Sequence, residues 1–296
     1  MRRSIAELLN ALGSRSVDKG NRDRGRSLYR SAARVDPHWS TPWYNLGLDH
    51  KNCREWEESL RCNQRAVEID PQNEAGWWNL GIAATALRNW PEARRAWHTY
   101  GVRLSNEEGE VRMPEVVGCV RLDPNDCGEV VWGLRIDPAR IIVLNVPLPE
   151  SGHRFQDIIL NDGAPNGKRV NASGIEVAVF DELAIWEASS YSTYTVNLRC
   201  PNEGAERHLE MLCGERKLGL EDWSTVRFMC KRCSLGNPGP HECAAMPLEN
   251  GSRKFGFAAQ TQEDLLGLLT EWAIDNLEAE FSEPQLLVPA QPKLMA

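Results

Sequence analysis

Trp43-Tyr44-Asn45-Leu46-Gly47 returns 34 positions later as Trp77-Trp78-Asn79-Leu80-Gly81. The same interval carries Ala32 to Ala66 and Asp36-Pro37 to Asp70-Pro71. One interval earlier, Leu9, Leu12 and Gly13 stand in the places of Trp43, Leu46 and Gly47. Self-similarity at a fixed period means stacked copies of one small unit, in which neighbours bury what a single copy leaves wet. Each copy reads as two amphipathic helices with apolar residues three and four apart. Asp-Pro closes the second helix, because the residue before a proline is pushed out of the helical region. Gly47 and Gly81 are expected where two helices cross too closely for a Cβ. Ala32 and Ala66 would be the small residues opposite.

Trp-x2-Leu-Gly, a later Ala and a closing Pro at this spacing resemble the tetratricopeptide repeat (TPR) family. Three repeats are expected, near residues 6–39, 40–73 and 74–107, covering about the first third of the 296-residue chain. The resemblance implies a helical solenoid with a binding surface and says nothing of chemistry. In that family the first helix of each repeat lines a concave groove. The register then offers Tyr44, Leu48 and Lys51 from repeat two, and Trp78 and Ile82 from repeat three. Asn45 and Asn79 match a position whose amide often contacts the backbone of a bound peptide. The clamp by which some members grip a chaperone's C-terminal carboxylate needs basic residues in repeat three, where this chain has Ala75 and Asn79. The groove residues are therefore expected to meet a protein or peptide of another kind, or to pack against the chain's own second half. Repeat three ends in Trp97 and Tyr100, an apolar close to the array that should be covered by the second domain.

The rest of the chain follows a different period. Residues 108–114 read as a linker. From there Val116–Leu122, Val130–Ile136 and Ile141–Val146 are short β-branched runs punctuated by turn residues, with further strands expected at Phe155–Leu160, Ile175–Phe180, Ala184–Glu187 and Ser192–Leu198. Asn161–Gly167 reads as the turn after the fourth run. Strands this close together, without helices between them, suggest an antiparallel sheet or small barrel over residues 115–260. Helical period returns at 202–218, 221–230 and 261–281. In the last of these Leu265, Leu266, Leu268, Leu269, Trp272 and Ala273 share a face, and Thr261 and Asp264 are placed as a capping pair. Residues 282–296 are proline-spaced and read as a flexible tail. The fold class is α+β: an all-α solenoid, then a mixed, mainly antiparallel β domain with C-terminal helices.

Composition is that of an ordinary soluble protein, 42% hydrophobic and 26% charged. No run approaches a membrane span, and the amino terminus lacks a signal-peptide pattern, so a cytoplasmic protein without a membrane partner is expected. Charge is uneven: residues 1–105 hold 17 basic and 12 acidic side chains, the remainder 17 and 30. The densest basic run, Lys19 to Arg26, is interleaved with acids and has no aromatics, which disfavours a nucleic-acid site.

Cys230-x2-Cys233-x7-His241-x-Cys243 is the strongest chemical constellation. A C-x2-C pair sets two thiolates on one side of a tight knuckle, and four protein ligands would close a structural zinc site. Free thiols in a reducing compartment fit the same residues, and a redox pair lacks the βαβ context. Gly163–Arg169 has one residue too few between its glycines for a phosphate loop and lacks the Ser/Thr that binds magnesium. Ser151, His153 and Asp157 lie close in sequence, which is not how catalytic triads are recognised. The expected function is a non-enzymatic interaction adaptor. The alternative is a TPR-docked enzyme or effector with its active site in residues 115–260; a weaker one is nucleic-acid binding through the basic amino terminus.

Overall fold

A computed structural model describes residues 1–171, 173–225 and 253–291. Its contacts divide the chain into two compact units, one of residues 1–115 with 136–139, the other of the remainder.

The first unit is built from six helices in three hairpins: α1 (Arg2–Asp18) with α2 (Arg22–Val35), α3 (Thr41–Asn52) with α4 (Trp56–Ile69), and α5 (Glu74–Ala86) with α6 (Trp90–Tyr100). The 34-residue period recurs in three dimensions. Gly13 faces Tyr29, Gly47 faces Asn63 and Gly81 faces Trp97, each glycine on the first helix of a hairpin letting the second approach. A Cβ on any of the three would lie 2.4–2.7 Å from that partner side chain. Hairpin turns keep the same interval, with positive φ at Gly20, Arg54 and Arg88. Leu46 and Leu80 are buried at matching places, beside Cys62 and Ala96 respectively. Asn21, Asn73 and Asn89 cap helices by accepting a backbone N–H three residues on, from Arg24, Gly76 and Glu92.

Beyond α6 the chain stays ordered where a linker is expected. Arg94 donates to the carbonyls of Asn106 and Gly109, the Asn106 side chain donates to the Glu108 and Glu110 carbonyls, and Val111 is fully buried. Met113 N–H donates to the Ile136 carbonyl (2.9 Å).

After the repeats, β1 (Val116–Arg121), β2 (Val130–Asp137), β3 (Arg140–Val143), β4 (Ile158–Val170) and β5 (Glu176–Glu187) close a five-stranded barrel in sequence order, all but the last two residues of β2 lying in the second unit. Its seam is parallel, with Cys119 opposite Val179 and Val120 opposite Phe180. Val120, Leu122, Val131, Ile141, Val143 and Ile159 form its core. The turn expected at Asn161–Gly167 is instead part of β4, and the turn-type residues there appear as register shifts against β5. Bulges absorb such residues without breaking a ladder. The reversal comes after Val170, where Asn171 Oδ1 accepts N–H bonds from Ser173 and Ile175. The strands expected separately at 175–180 and 184–187 are one, β5.

The barrel is followed by a layered α/β part. Here β6 (Ser192–Arg199), β7 (Gly219–Asp222), β8 (Arg253–Ala259) and β10 (Gln285–Val288) form a sheet in the order β10-β6-β8-β7, with the two-residue β9 (Glu280–Phe281) also paired to β6. The closing stretch, expected to be irregular, thus supplies a strand. The helices α7 (Glu203–Glu215) and α8 (Gln262–Asp275) pack through Leu209, Leu212, Leu265, Leu269 and Trp272 against Val196, Phe255 and Phe257. Thr261 Oγ1 accepts from Asp264 N–H and donates to its carboxylate, the capping pair the sequence predicts. Helix was expected from Glu221; instead β7 runs to Asp222 and one 3-10 turn follows at Trp223–Thr225.

Candidate functional site

Helices α3 and α5 carry the seven groove positions, and the structure separates them into two groups. Tyr44, Asn45, Leu48 and Trp78 are half-buried. Lys51, Asn79 and Ile82 are 3%, 5% and 0% exposed, so these three are closed to an incoming peptide. The reason lies in the composition of α5. From Ala75 to Ala86 it has no charged residue, and Gly76, Trp77 and every residue from Asn79 to Thr85 are buried. A helix that is apolar on all sides is buried on all sides. That signal was present in the sequence beside the family register, and it limits the register's implication.

The half-buried group is itself engaged. Asn45 Nδ2 donates to Asn10 Oδ1 (2.9 Å), so the amide expected for a partner's backbone already has a partner on α1. Trp78 meets Trp97 and Tyr100 edge-on, at centroid separations of 5.2 and 4.6 Å. These three rings form an aromatic corner at the end of the array. Trp97, expected at an apolar end that the second domain covers, is 0% exposed and sits within its own hairpin against Gly81; Tyr100 remains 42% exposed.

Much of the basic amino-terminal run is committed internally. The Asp49 carboxylate, 4% exposed, takes Arg22 Nη1 and Arg26 Nε at 2.5 Å each. Arg26 also reaches Glu55, which pairs with His50. Two of the run's arginines therefore brace the repeats.

In the second unit, Ser151, His153 and Asp157 do come together, but as the scaffold of a turn. Ser151 Oγ donates to the Leu148 carbonyl (2.9 Å), and His153 Nδ1 lies 2.6 Å from the Ser151 carbonyl. His153 Nε2 is 2.9 Å from Glu182 Oε2, so neither ring nitrogen faces the serine hydroxyl. Burial alone would lower the His153 pKa, yet the Glu182 carboxylate beside it leaves the group raised. Asp157, 0% exposed, accepts N–H bonds from Arg154 (2.8 Å) and Ser189 (2.7 Å), one at each oxygen. Nearby Glu129 accepts the Leu148 N–H at both oxygens (3.1 Å each), and burial pushes its carboxyl up to about 7. A nucleophile activated by its base needs the two side chains within hydrogen-bond reach; here the Ser151 hydroxyl meets the Leu148 carbonyl and the Glu129 carboxylate and not the His153 ring, and backbone groups hold Asp157.

Cys230, Cys233, His241 and Cys243 lie outside the described residues. Among the described residues, no group of three or more His, Cys, Asp or Glu side chains is placed to hold a metal ion, and no helix is long and apolar enough to cross a membrane.

The stacked hairpins, their shared glycine crossings and their common turn positions define α1–α6 as a TPR-like helical-repeat region. No protein-family model matches the chain, and no curated protein matches it. Among solved structures, the second TPR of Spaghetti (RPAP3), bound to the HSP90 peptide SRMEEVD, is similar at 18% identity and a TM-score of 0.32, over 33% of this chain and 91% of that one. The OM64 TPR domain of Arabidopsis is similar at 16% identity and 0.31, over 33% and 85%. The first TPR of Spaghetti, bound to the same peptide, gives 18% and 0.31, over 33% and 77%.

Proposed function

We propose that the protein is a non-enzymatic interaction adaptor that binds a peptide or partner protein through its helical repeats, at the partly open surface of Tyr44, Asn45, Leu48 and Trp78. The observation that supports this reading is the exposed part of the aromatic corner: Trp78 is half-buried and Tyr100 is 42% exposed at the end of the array, and Trp and Tyr bind partners with little side-chain entropy to lose. Lys51, Asn79 and Ile82 then serve as the floor beneath the site. The test is capture of partners from lysate with the wild-type chain and with Tyr44→Ala/Trp78→Ala as baits, after melting curves show that the variant folds. Loss of the captured proteins from the variant supports the site. Capture of the same proteins at the same yield overturns it.

The second reading, an enzyme or effector in residues 115–260, draws on one observation, the Glu129 carboxyl held near 7 beside the His153–Glu182 pair. Groups so perturbed gather at active sites and also in structural networks. The backbone bonds that Ser151, Asp157 and Glu129 all hold favour the structural role, with the Ser151–Glu129 side-chain bond as the one contact on the other side.

A further inference from the structure

On the side of the array formed by the second helices, a cleft of about 530 Å³ runs between α2 and α4. Arg30 and Arg34 of α2 stand on one wall, and Arg61 and Arg65 of α4 on the other. The floor is apolar: α3 contributes Leu46 (1% exposed) and the half-buried Trp43, and Cys62 (7% exposed) completes it. None of these residues belongs to the Tyr44–Trp78 surface.

The charges on the two walls are unbalanced and available. Arg61 bonds Glu58 on its own helix and Arg65 pairs with Glu68 (3.0 Å), surface pairs that a better partner can exchange. Arg30 and Arg34 are exposed and make no hydrogen bond or ion pair among the described residues. Glu58 is the lone acid lining the cleft, against four guanidinium groups. Guanidinium forks favour carboxylates, which they bind in paired hydrogen bonds.

Spacing narrows the ligand. Residues i and i+4 of a helix are separated by about 6 Å along its axis. Alternate residues of an extended chain, which point to one side, are separated by about 6.6 Å. An extended peptide lying in the cleft would thus turn carboxylates i and i+2 to Arg30 and Arg34, and i+1 and i+3 to Arg61 and Arg65. Its backbone would cover Trp43 and Leu46. Single-stranded nucleic acid would need several stacking platforms, and beside Trp43 the cleft is lined by one further ring, His50, which is 3% exposed and paired with Glu55.

We propose that the cleft between α2 and α4 is a second docking site of this adaptor, taking an extended acidic segment of a partner protein. It deepens the adaptor reading and rests on it, while using a different surface. A random peptide library displayed on phage would be selected on the immobilised full chain and counter-selected on Arg30→Glu/Arg34→Glu. Selected peptides should carry runs of Asp and Glu. In fluorescence anisotropy their affinity should fall about ten-fold or more on the variant and weaken as salt rises. Arg30→Gln/Arg34→Gln provides the same readout should the reversed charges disturb folding. Enrichment of neutral or basic peptides, acidic peptides held equally by the variants, or no enrichment would overturn the proposal. So would tighter binding of oligothymidylate than of any acidic peptide, or self-association of the chain that the variants abolish. Tyr44 and Trp78 are untouched throughout, so failure here leaves the capture test at that surface to stand or fall alone.

Discussion

The Trp97 indole occupies the notch that Gly81 leaves on α5: three of its ring carbons lie 2.5–2.7 Å from where a Cβ on residue 81 would stand. The ring is wholly buried there, and its Nε1–H donates to Thr85 Oγ1 one turn further along α5 (3.4 Å). Residue pairs in the same relation hold the other two hairpins, but with Tyr29 and Asn63 in place of the indole.

Gly81→Ala should therefore destabilise the first unit by about 1–3 kcal/mol, the usual cost of overpacking a filled core, although alanine is by itself the better helix former by about 1 kcal/mol. In a Trp97→Ala background the clash is gone, and the same substitution should become stabilising. Denaturant unfolding of the four proteins checks this reversal of sign; destabilisation by Gly81→Ala in both backgrounds would show that the ring is not the obstacle.

Asp157→Ala should cost about 2–4 kcal/mol, because two buried N–H groups, of Arg154 and Ser189, would each lose their acceptor. Asp157→Asn should also destabilise, since its amide NH2 would face one of those donors. Thermal melting of both variants is the measurement, and an unchanged melting temperature for Asp157→Asn would count against the two-acceptor arrangement.

Glu129 should make the second unit less stable as pH rises. Its folded pKa lies near 7, above the ordinary carboxylate value of 4.5, so between those limits the folded chain holds a proton that the unfolded chain has released. Stability is then highest below about 4.5 and lost through about 7, a contribution of about 3 kcal/mol. Glu129→Gln imitates the protonated form and should remove this fall. Melting curves from pH 4.5 to 8, with wild type and variant running parallel, would refute it.

From the spacing of Cys230, Cys233, His241 and Cys243, the isolated protein is expected to carry about one equivalent of structural zinc. Elemental analysis after purification without chelator measures it. Cys230→Ser and His241→Ala should each lower the content, and a metal-free wild-type chain would end the zinc reading in favour of free thiols.

The repeats were legible because a 34-residue period survives even where single positions drift, as at Leu9 for tryptophan or Asn63 for an aromatic. The barrel strands were legible where β-branched residues run together, at β1, β2 and β3. Reading failed at β4, where Asn161, Gly163, Pro165 and Gly167 are turn formers in any local view and only pairing with β5 makes them strand. At the groove the register says which face a residue occupies and not what else reaches that face, so the burial of Lys51, Asn79 and Ile82 was not legible from it. The arginines of the second-helix cleft were visible as pairs four apart, Arg30 with Arg34 and Arg61 with Arg65. Nothing in one dimension says that α2 and α4 set the two pairs across a shared floor.

The parallel seam of the barrel has a consequence of parity. Five strands joined in succession by reversals leave the last running in the direction of the first, so closure must mate them side by side in the same sense. An even count would return the chain to its starting rim; an odd one carries it through. The polypeptide enters at the base of β1 and departs past Glu187 at the opposite mouth, making the barrel a conduit in the path of the chain. The seam joins residues some sixty positions apart, Cys119 with Val179, and no local turn can form it in advance. Closing such a loop costs entropy before its contacts form, so the four antiparallel pairings should assemble first and the seam last.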